Sequence, residues 1–431
     1  MLRGLLSIAL LATVAATGPR SGNINVSSSF PLEIKPVASP AAPGSGQPQL
    51  TVSGRGVLLS WVERAGPQAT LRFAERSETG WTQPGTVASG DDWFVNWADV
   101  PSVVRLDDGS LAAHWLKKSG PGTYAYDVRL SYSRDNGKTW APSFTPHSDG
   151  TQTEHGFASL FQIPGAGLGL VWLDGRAMKG DHGGHGAGDM SIRFGTFAAD
   201  WTQTAETAVD LRVCECCPTT AAVTDDGVIA AFRNRSDDEV RDIYVARLEN
   251  GKWTEPVAVH QDGWRIPACP VNGPVLSARG REVAIAWFTG RDDQPRAFAA
   301  FSKDAGRSFG PPIRLDDSMS LGRVDIELLA DGSALASYIE HADGRAQFRV
   351  RRIEPSGARS EAVIVAGIDS GRTSGYPRIA RSDDELTFAW VERDGDARVR
   401  TAAARVPYTR NRSGGTERAE ETGKTQHGAT E

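Results

Sequence analysis

Long apolar runs are scarce in this chain of 431 residues. The one candidate, Leu5 to Ala16, holds about 12 residues, too few to span a bilayer. An excess of positive charge is also lacking: 47 Lys and Arg stand against 53 Asp and Glu, a net charge of −6. Nothing in that balance attracts nucleic acid or an anionic membrane, and no nucleic-acid partner is expected. Cysteine is nearly absent, with four in the whole chain and none close to the N-terminus, which argues against a lipid-anchored start. One positive charge at Arg3, the short apolar stretch and the small residues Val14 and Ala16 read as a signal peptide over residues 1–16. The mature protein is then expected to be periplasmic or secreted, without stable membrane insertion. Residues 17–29 and 409–431 are polar and aperiodic, and are predicted to be a disordered linker and tail.

What the chain does contain is a phrase repeated seven times between Leu50 and Val406. A short apolar run entered from a Pro- or Gly-containing loop is followed by a strand-like run, such as LLSWVER from Leu58, LGLVWLDGR from Leu168 or LTFAWVER from Leu386. Successive repeats start about 50 to 60 residues apart, the spacing of four-stranded propeller blades. The fourth repeat shows the whole unit, TTAAVTDDG, VIAAFRNR, RDIYVARLENG and KWTEPVAVH, four short runs separated by Gly, Asp and Asn turns. The last repeat stops after three runs, and FPLEIKPVAS from Phe30 resembles the missing fourth. The sequence therefore predicts an all-β fold over residues 30–408: a seven-bladed β-propeller of four-stranded antiparallel blades, closed by the N-terminal strand so that no sheet edge is left open. A six-bladed ring is the alternative if one repeat is misread. Hydrophobic residues at 39 %, charged residues at 23 % and 47 glycines fit such a turn-rich β protein.

Two segments carry a resemblance. SYSRDNGKTW places Ser133, Asp135, Gly137, Thr139 and Trp140 in the spacing S-x-D-x-G-x-T-W, and FSKDAGRSF repeats it with Ser302, Asp304, Gly306, Ser308 and Phe309. These look like Asp boxes, the turns between third and fourth strands of the sialidase-like superfamily. Asp135 and Asp304 are read as structural, because turn carboxylates usually bind the amides of their own turn. If those turns lie on the bottom of the propeller, alternating strand direction puts the fourth-to-first and second-to-third connections together on the top.

The top connections are rich in functional side chains, and loops on a rigid β scaffold favour binding and catalysis. Those before blades two and three carry Trp93, Asn96, Trp97, Asp99, Glu154 and His155. All four cysteines, Cys214, Cys216, Cys217 and Cys269, fall in two consecutive top connections. In an exported protein disulfides are the ordinary expectation. Any complete pairing, however, would bond two cysteines within the CECC stretch itself, which is geometrically demanding. The other reading is a thiolate site for a soft metal, Cu or Zn, to which His182 and His185 of the loop before could add imidazoles.

The sialidase-like resemblance implies a further set of residues. Arg265, Ile266 and Pro267 are similar to the R-I-P of sialidases, whose Arg grips a substrate carboxylate, a task suited to guanidinium. The following stretch places Asp292, or its neighbour Asp293, near the family's acid. Tyr376 resembles the catalytic tyrosine, with Asp325 or Glu327 as its carboxylate partner, and Arg323 and Arg378 stand in suitable connections to bind substrate. Two functions are thus expected: an exported binding protein for a soft metal, glycan or partner, with its site centred on the cysteines, or a glycoside hydrolase acting as an exo-sialidase or on another glycan.

Overall fold

The computed structural model describes residues 30–165, 167–179 and 188–406. The segments expected to be a signal peptide, a linker and a tail, and also His182 and His185, lie outside the described residues. Seven antiparallel sheets follow one another. Their innermost strands are Ser45–Ser53, Ser102–Arg105, His155–Ile163, Thr220–Thr224, Val275–Arg279, Met319–Leu328 and Arg378–Ser382. Each is followed by a second and a third strand in hairpin order. Blade two has three full strands, and its outer edge is completed by a bridge between Phe144 and Leu130.

The second strands read as unbroken apolar runs because both of their faces are covered by neighbouring blades. Gly56–Ala65 and Gly167–Asp174, for example, are each buried over six or more consecutive residues. Packing clusters form between blades: Leu58, Val62 and Leu71 of blade one meet Val103, Leu111 and Trp115 of blade two. Trp61, Trp172 and Trp287, in the second strands of blades one, three and five, are fully buried. Each indole N–H donates to a carboxylate, of Glu63 (2.9 Å), Asp174 (2.9 Å) and Asp262 (2.8 Å) respectively. A buried indole needs such an acceptor to avoid an unmade hydrogen bond.

The ring closes as the sequence predicts. Lys35, Pro36 and Val37 pair antiparallel with Ala403, Ala402 and Thr401, adding the chain's first strand to the sheet made by its last three. Leu32 is buried beside them, in a cluster with Phe348, Phe388 and Trp390.

The turns around Asp135 and Asp304 share one hydrogen-bond pattern. Ser133 Oγ accepts from Gly137 N–H (2.8 Å) and donates to Asp135 (2.8 Å), which also accepts from Thr139 N–H (2.9 Å). Ser302, Gly306, Asp304 and Ser308 repeat these contacts at 2.7 to 2.9 Å. Gly137 has φ +81° and its missing Cβ would lie 2.3 Å from the Phe73 ring, so a side chain there would be both strained and blocked. Hydrogen bonds led by the Thr139 hydroxyl pull Asp135 down to about 2. At Asp304 the turn's hydrogen bonds outweigh the opposing effect of burial, again to about 2.

Candidate functional site

The connections before and within blades two to five, with one from blade seven, enclose a top-face cavity of about 380 Å³. Asn96, Trp97, Tyr124, Glu154, Phe157, Met178, Glu215, Cys216, Arg241 and Cys269 are among its lining residues. A second cavity of about 450 Å³ runs along the inner strands and is lined by Asp99, Asp325, Glu327, Tyr376 and Arg378, among others.

The cysteine connection is held from below by backbone. Cys214 N–H donates to Arg233 O (2.9 Å), and Pro218 then leads into the inner strand of blade four. The Arg233 guanidinium is buried and donates to the carbonyls of Asn272, Arg241 and Phe288, tying the connections of blades four and five together. Gly273 permits this close approach, since a Cβ there would sit 1.9 Å from Pro218 O.

Three sulfurs converge as a result. Cys214, Cys216 and Cys217 have Sγ atoms within 4.8 Å of one another, with Cys214 lying 3.3 Å from Cys217 and 3.8 Å from Cys216. All four cysteines are unbonded, Cys214 and Cys217 buried, Cys216 half-buried at the cavity wall and Cys269 exposed at the rim beside Cys216. Arg241, itself buried, places Nη1 3.3 Å from Cys214 Sγ and also pairs with Glu215 (2.7 Å) and Glu239 (2.7 Å). Burial opposes ionisation of Cys214, but its hydrogen bonds with Cys216 and Cys217 and the Arg241 charge prevail and hold it well below the ordinary thiol range. Cys216 is pushed up by its hydrogen bonds with Cys214, Cys217 and Cys269, and Cys217 is pushed up by burial and then by Cys214. Cys214 is thus the thiol most readily ionised of the three.

Across the cavity stands a buried acid pair. The Tyr126 hydroxyl donates to Glu154 (2.7 Å) and approaches Asp99 (3.3 Å), which accepts from Phe157 N–H (2.8 Å). Burial, against the hydrogen bond from Tyr126, pushes Glu154 up to about 8. Burial likewise raises Asp99 to about 7. Burial thus favours the protonated form of Glu154 at the cavity lining.

The residues implied by the sialidase-like resemblance separate into two groups. Tyr376, Asp325 and Arg378 line the inner cavity together. Tyr376 is 2 % exposed, stacks on Trp97 and donates its hydroxyl to Val271 O (2.6 Å). Burial, then the nearby Cys217, pushes its phenol well above the ordinary value. Asp325 accepts from Ile379 N–H (3.0 Å) and is raised by burial, and Glu327 is raised to about 8 by burial and by Asp325. The Arg323 guanidinium is spent on the Ser374 hydroxyl and the carbonyls of Gly371 and Gly375, and lies over the Trp97 ring. Arg265 and Asp292 are elsewhere: Arg265 has a side chain 66 % exposed, 4.0 Å from Asp238, and Asp292 pairs on the surface with Arg291. The structure does not bring either of them to Tyr376.

Arg241 and Tyr126 have no signal in the sequence for these roles, because each acts through a partner on another segment. Only Glu215, inside CECC, sits where a motif points.

No family model matches the chain, and no curated protein matches it. Solved structures do. The polysaccharide lyase Uly1 aligns at 11 % identity over 91 % of this chain and 94 % of its own, with a TM-score of 0.51. A PL25 ulvan lyase bound to a -[GlcA(1-4)Rha3S]- oligosaccharide aligns at 11 % identity over 86 % of this chain and 94 % of its own, TM-score 0.53. The Trypanosoma rangeli sialidase aligns at 12 % identity over 84 % of this chain and 59 % of its own, TM-score 0.44. At such identities the likeness to the two lyases is one of fold, the β-propeller that the sialidase-like resemblance implied.

Proposed function

We propose that this chain is an exported binding protein that holds a soft metal ion, Cu(I) or Zn²⁺, on the top face of its propeller. The observation that carries the reading is the convergence of Cys214, Cys216 and Cys217 within 4.8 Å beside Arg241. Thiolates bound to one metal at ~2.3 Å stand roughly 3.8 Å apart in tetrahedral geometry, so separations of this order need little rearrangement. Cys269 supplies a fourth sulfur from the rim, and Arg241 offsets the negative charge that several thiolates leave on the complex. Soft thiolate ligands select these ions over Mg²⁺ or Ca²⁺.

The test is elemental analysis of protein purified from its native compartment. One equivalent of Cu or Zn, lost on replacing Cys216 and Cys217 with Ser while the propeller stays folded, supports the site. No metal together with no free thiols under denaturing conditions would make the cysteines a disulfide staple between blades four and five instead.

A second reading, glycan binding or processing at the same cavity, is favoured by Glu154. A carboxylic acid protonated near neutral pH beside Trp97 and Tyr124 suits donation to a sugar leaving group against aromatic walls. Turnover of an anionic polysaccharide that is abolished by Glu154→Gln would establish it.

A further inference from the structure

A second cluster lies at the top edge where blades two and three meet, and it shares no residue with the thiol site. Asp127 comes from the third strand of blade two (Tyr126–Ser133), His147 and Asp149 from the connection to blade three, and His155 from the start of that blade's first strand. The imidazoles of His147 and His155 stack with centroids 3.8 Å apart and planes within 7°. Carboxylates stand at both ends of the stack. At one end Asp149 Oδ2 lies 3.0 Å from His147 Nδ1 and 3.2 Å from His155 Nε2. At the other, Asp127 Oδ1 lies 3.8 Å from His147 Nε2 and 3.5 Å from His155 Nδ1.

The two ends differ in what already neutralises them. Arg176 occupies the first, pairing with Asp174 (2.7 Å) and Glu206 (2.8 Å) and reaching Asp149 (3.5 Å). A cation is already there. At the second end, Asp127 Oδ1 and His147 Nε2 are both buried without a hydrogen-bond partner. The His147 side chain is only 4 % exposed, and such orphaned buried groups destabilise the fold unless something binds them. Hydrogen-bond orientation points the same way: His147 Nδ1–H donates to Asp149, which leaves the Nε2 lone pair directed to the Asp127 end. Asp149 is fixed in turn by Thr151 N–H (2.9 Å). A histidine whose second nitrogen is held by a carboxylate is the usual outer shell of a metal site.

We infer that Asp127, His147 and His155 form a binding site for a divalent first-row transition ion of the Zn²⁺ type. Ligands at ~2.0–2.2 Å from one tetrahedral zinc stand roughly 3.3–3.6 Å apart, against the 3.5 and 3.8 Å seen here from Asp127 to His155 and His147. His155 joins by moving its proton from Nδ1, where it is donated to Thr153 O (3.2 Å), to Nε2, which lies buried and unpartnered 3.2 Å from Asp149, and by tilting out of the parallel stack so that both in-plane lone pairs reach one ion. The Asp127 side chain is 22 % exposed, so it is the one of the three ligands that reaches toward the surface. Two nitrogens and an oxygen suit zinc and its neighbours rather than the oxygen-seeking Ca²⁺.

The experiment uses the full mature chain with Cys216 and Cys217 replaced by Ser, so that the thiol proposal and this one fail separately. After chelator dialysis it is titrated with Zn²⁺ by calorimetry and with Co²⁺ by absorption. The expected result is one equivalent bound, a cobalt spectrum without thiolate-to-metal charge transfer, and affinity at least tenfold weaker in Asp127→Asn and in His147→Gln. A folded thiol-deficient protein that binds no stoichiometric Zn²⁺, or binds it equally well in Asp127→Asn, would overturn the inference. If His147→Gln does not fold, Asp127→Asn carries the comparison, since its side chain is at the edge of the cluster.

Discussion

Arg241 Nη1 lies 3.3 Å from the sulfur of Cys214, a buried cation against a buried thiol contributed by a different connection of the propeller. The pair adds to the hydrogen bonds from Cys216 and Cys217 that hold Cys214 low. In the metal-free protein, Arg241→Gln should move the onset of thiolate absorbance to higher pH, because it takes away one of the influences that offset burial at Cys214. It should also destabilise the fold by about 1–2 kcal/mol, since Glu215 and Glu239 lose one cation partner and keep only Arg235. An unchanged absorbance onset in a folded variant would remove Arg241 from the thiol chemistry.

Tyr376→Phe should lower stability by about 1–2 kcal/mol, since the buried Val271 carbonyl loses its donor while the ring stays on Trp97. The same geometry predicts no release of sialic acid from a fluorogenic substrate by the parent protein. A nucleophilic tyrosine needs a base, and this hydroxyl is bound to a carbonyl with its pKa pushed upward. Sialic acid release that Tyr376→Phe abolishes would reverse that conclusion.

Deleting the chain up to Ser39 should lower the melting temperature steeply. The deletion removes the strand paired with Thr401 to Ala403, unburies Leu32's neighbours and opens the ring along the edge of blade seven. Equal melting temperatures for the truncated and mature chains would show that closure contributes nothing.

His114 should make the fold acid-sensitive. It is fully buried in the second strand of blade two, and burial lowers its pKa from 6.5 to about 4. Its neutral form is the one the fold accommodates, so its contribution is complete above pH 6.5 and is lost as pH falls toward 4. Over that window the loss is about 1.4 kcal/mol per pH unit, roughly 3 kcal/mol at most. Stability measured in denaturant between pH 7 and 4 should therefore fall less steeply in His114→Gln than in the parent, and parallel curves would contradict the assignment.

Much of the architecture is legible along the chain because a propeller is built from local hairpins. The apolar second runs, the turn residues at Asp135 and Asp304, and the unmatched run at Phe30 each report a contact whose partner is a neighbouring or symmetry-equivalent segment, so counting repeats yields both blades and closure. CECC announces itself too, because three cysteines in four residues are rare in any context. Tyr376 reaching the inner face is likewise implied by its place before a first strand.

The sites themselves were decided in three dimensions. Arg241 is 27 residues from Cys214 and meets it where Arg233 bonds to both, its carbonyl accepting from Cys214 N–H and its guanidinium donating to Arg241 O. Arg265 matches a motif yet points to solvent, while His147, in no motif, stacks on His155. Repetition fixes where each connection emerges, since strand length and direction are local properties. Which side chains meet across those connections depends on how adjacent blades pack and on burial that a linear pattern does not encode, and that is why the sequence names the face and the tertiary structure selects the ligands.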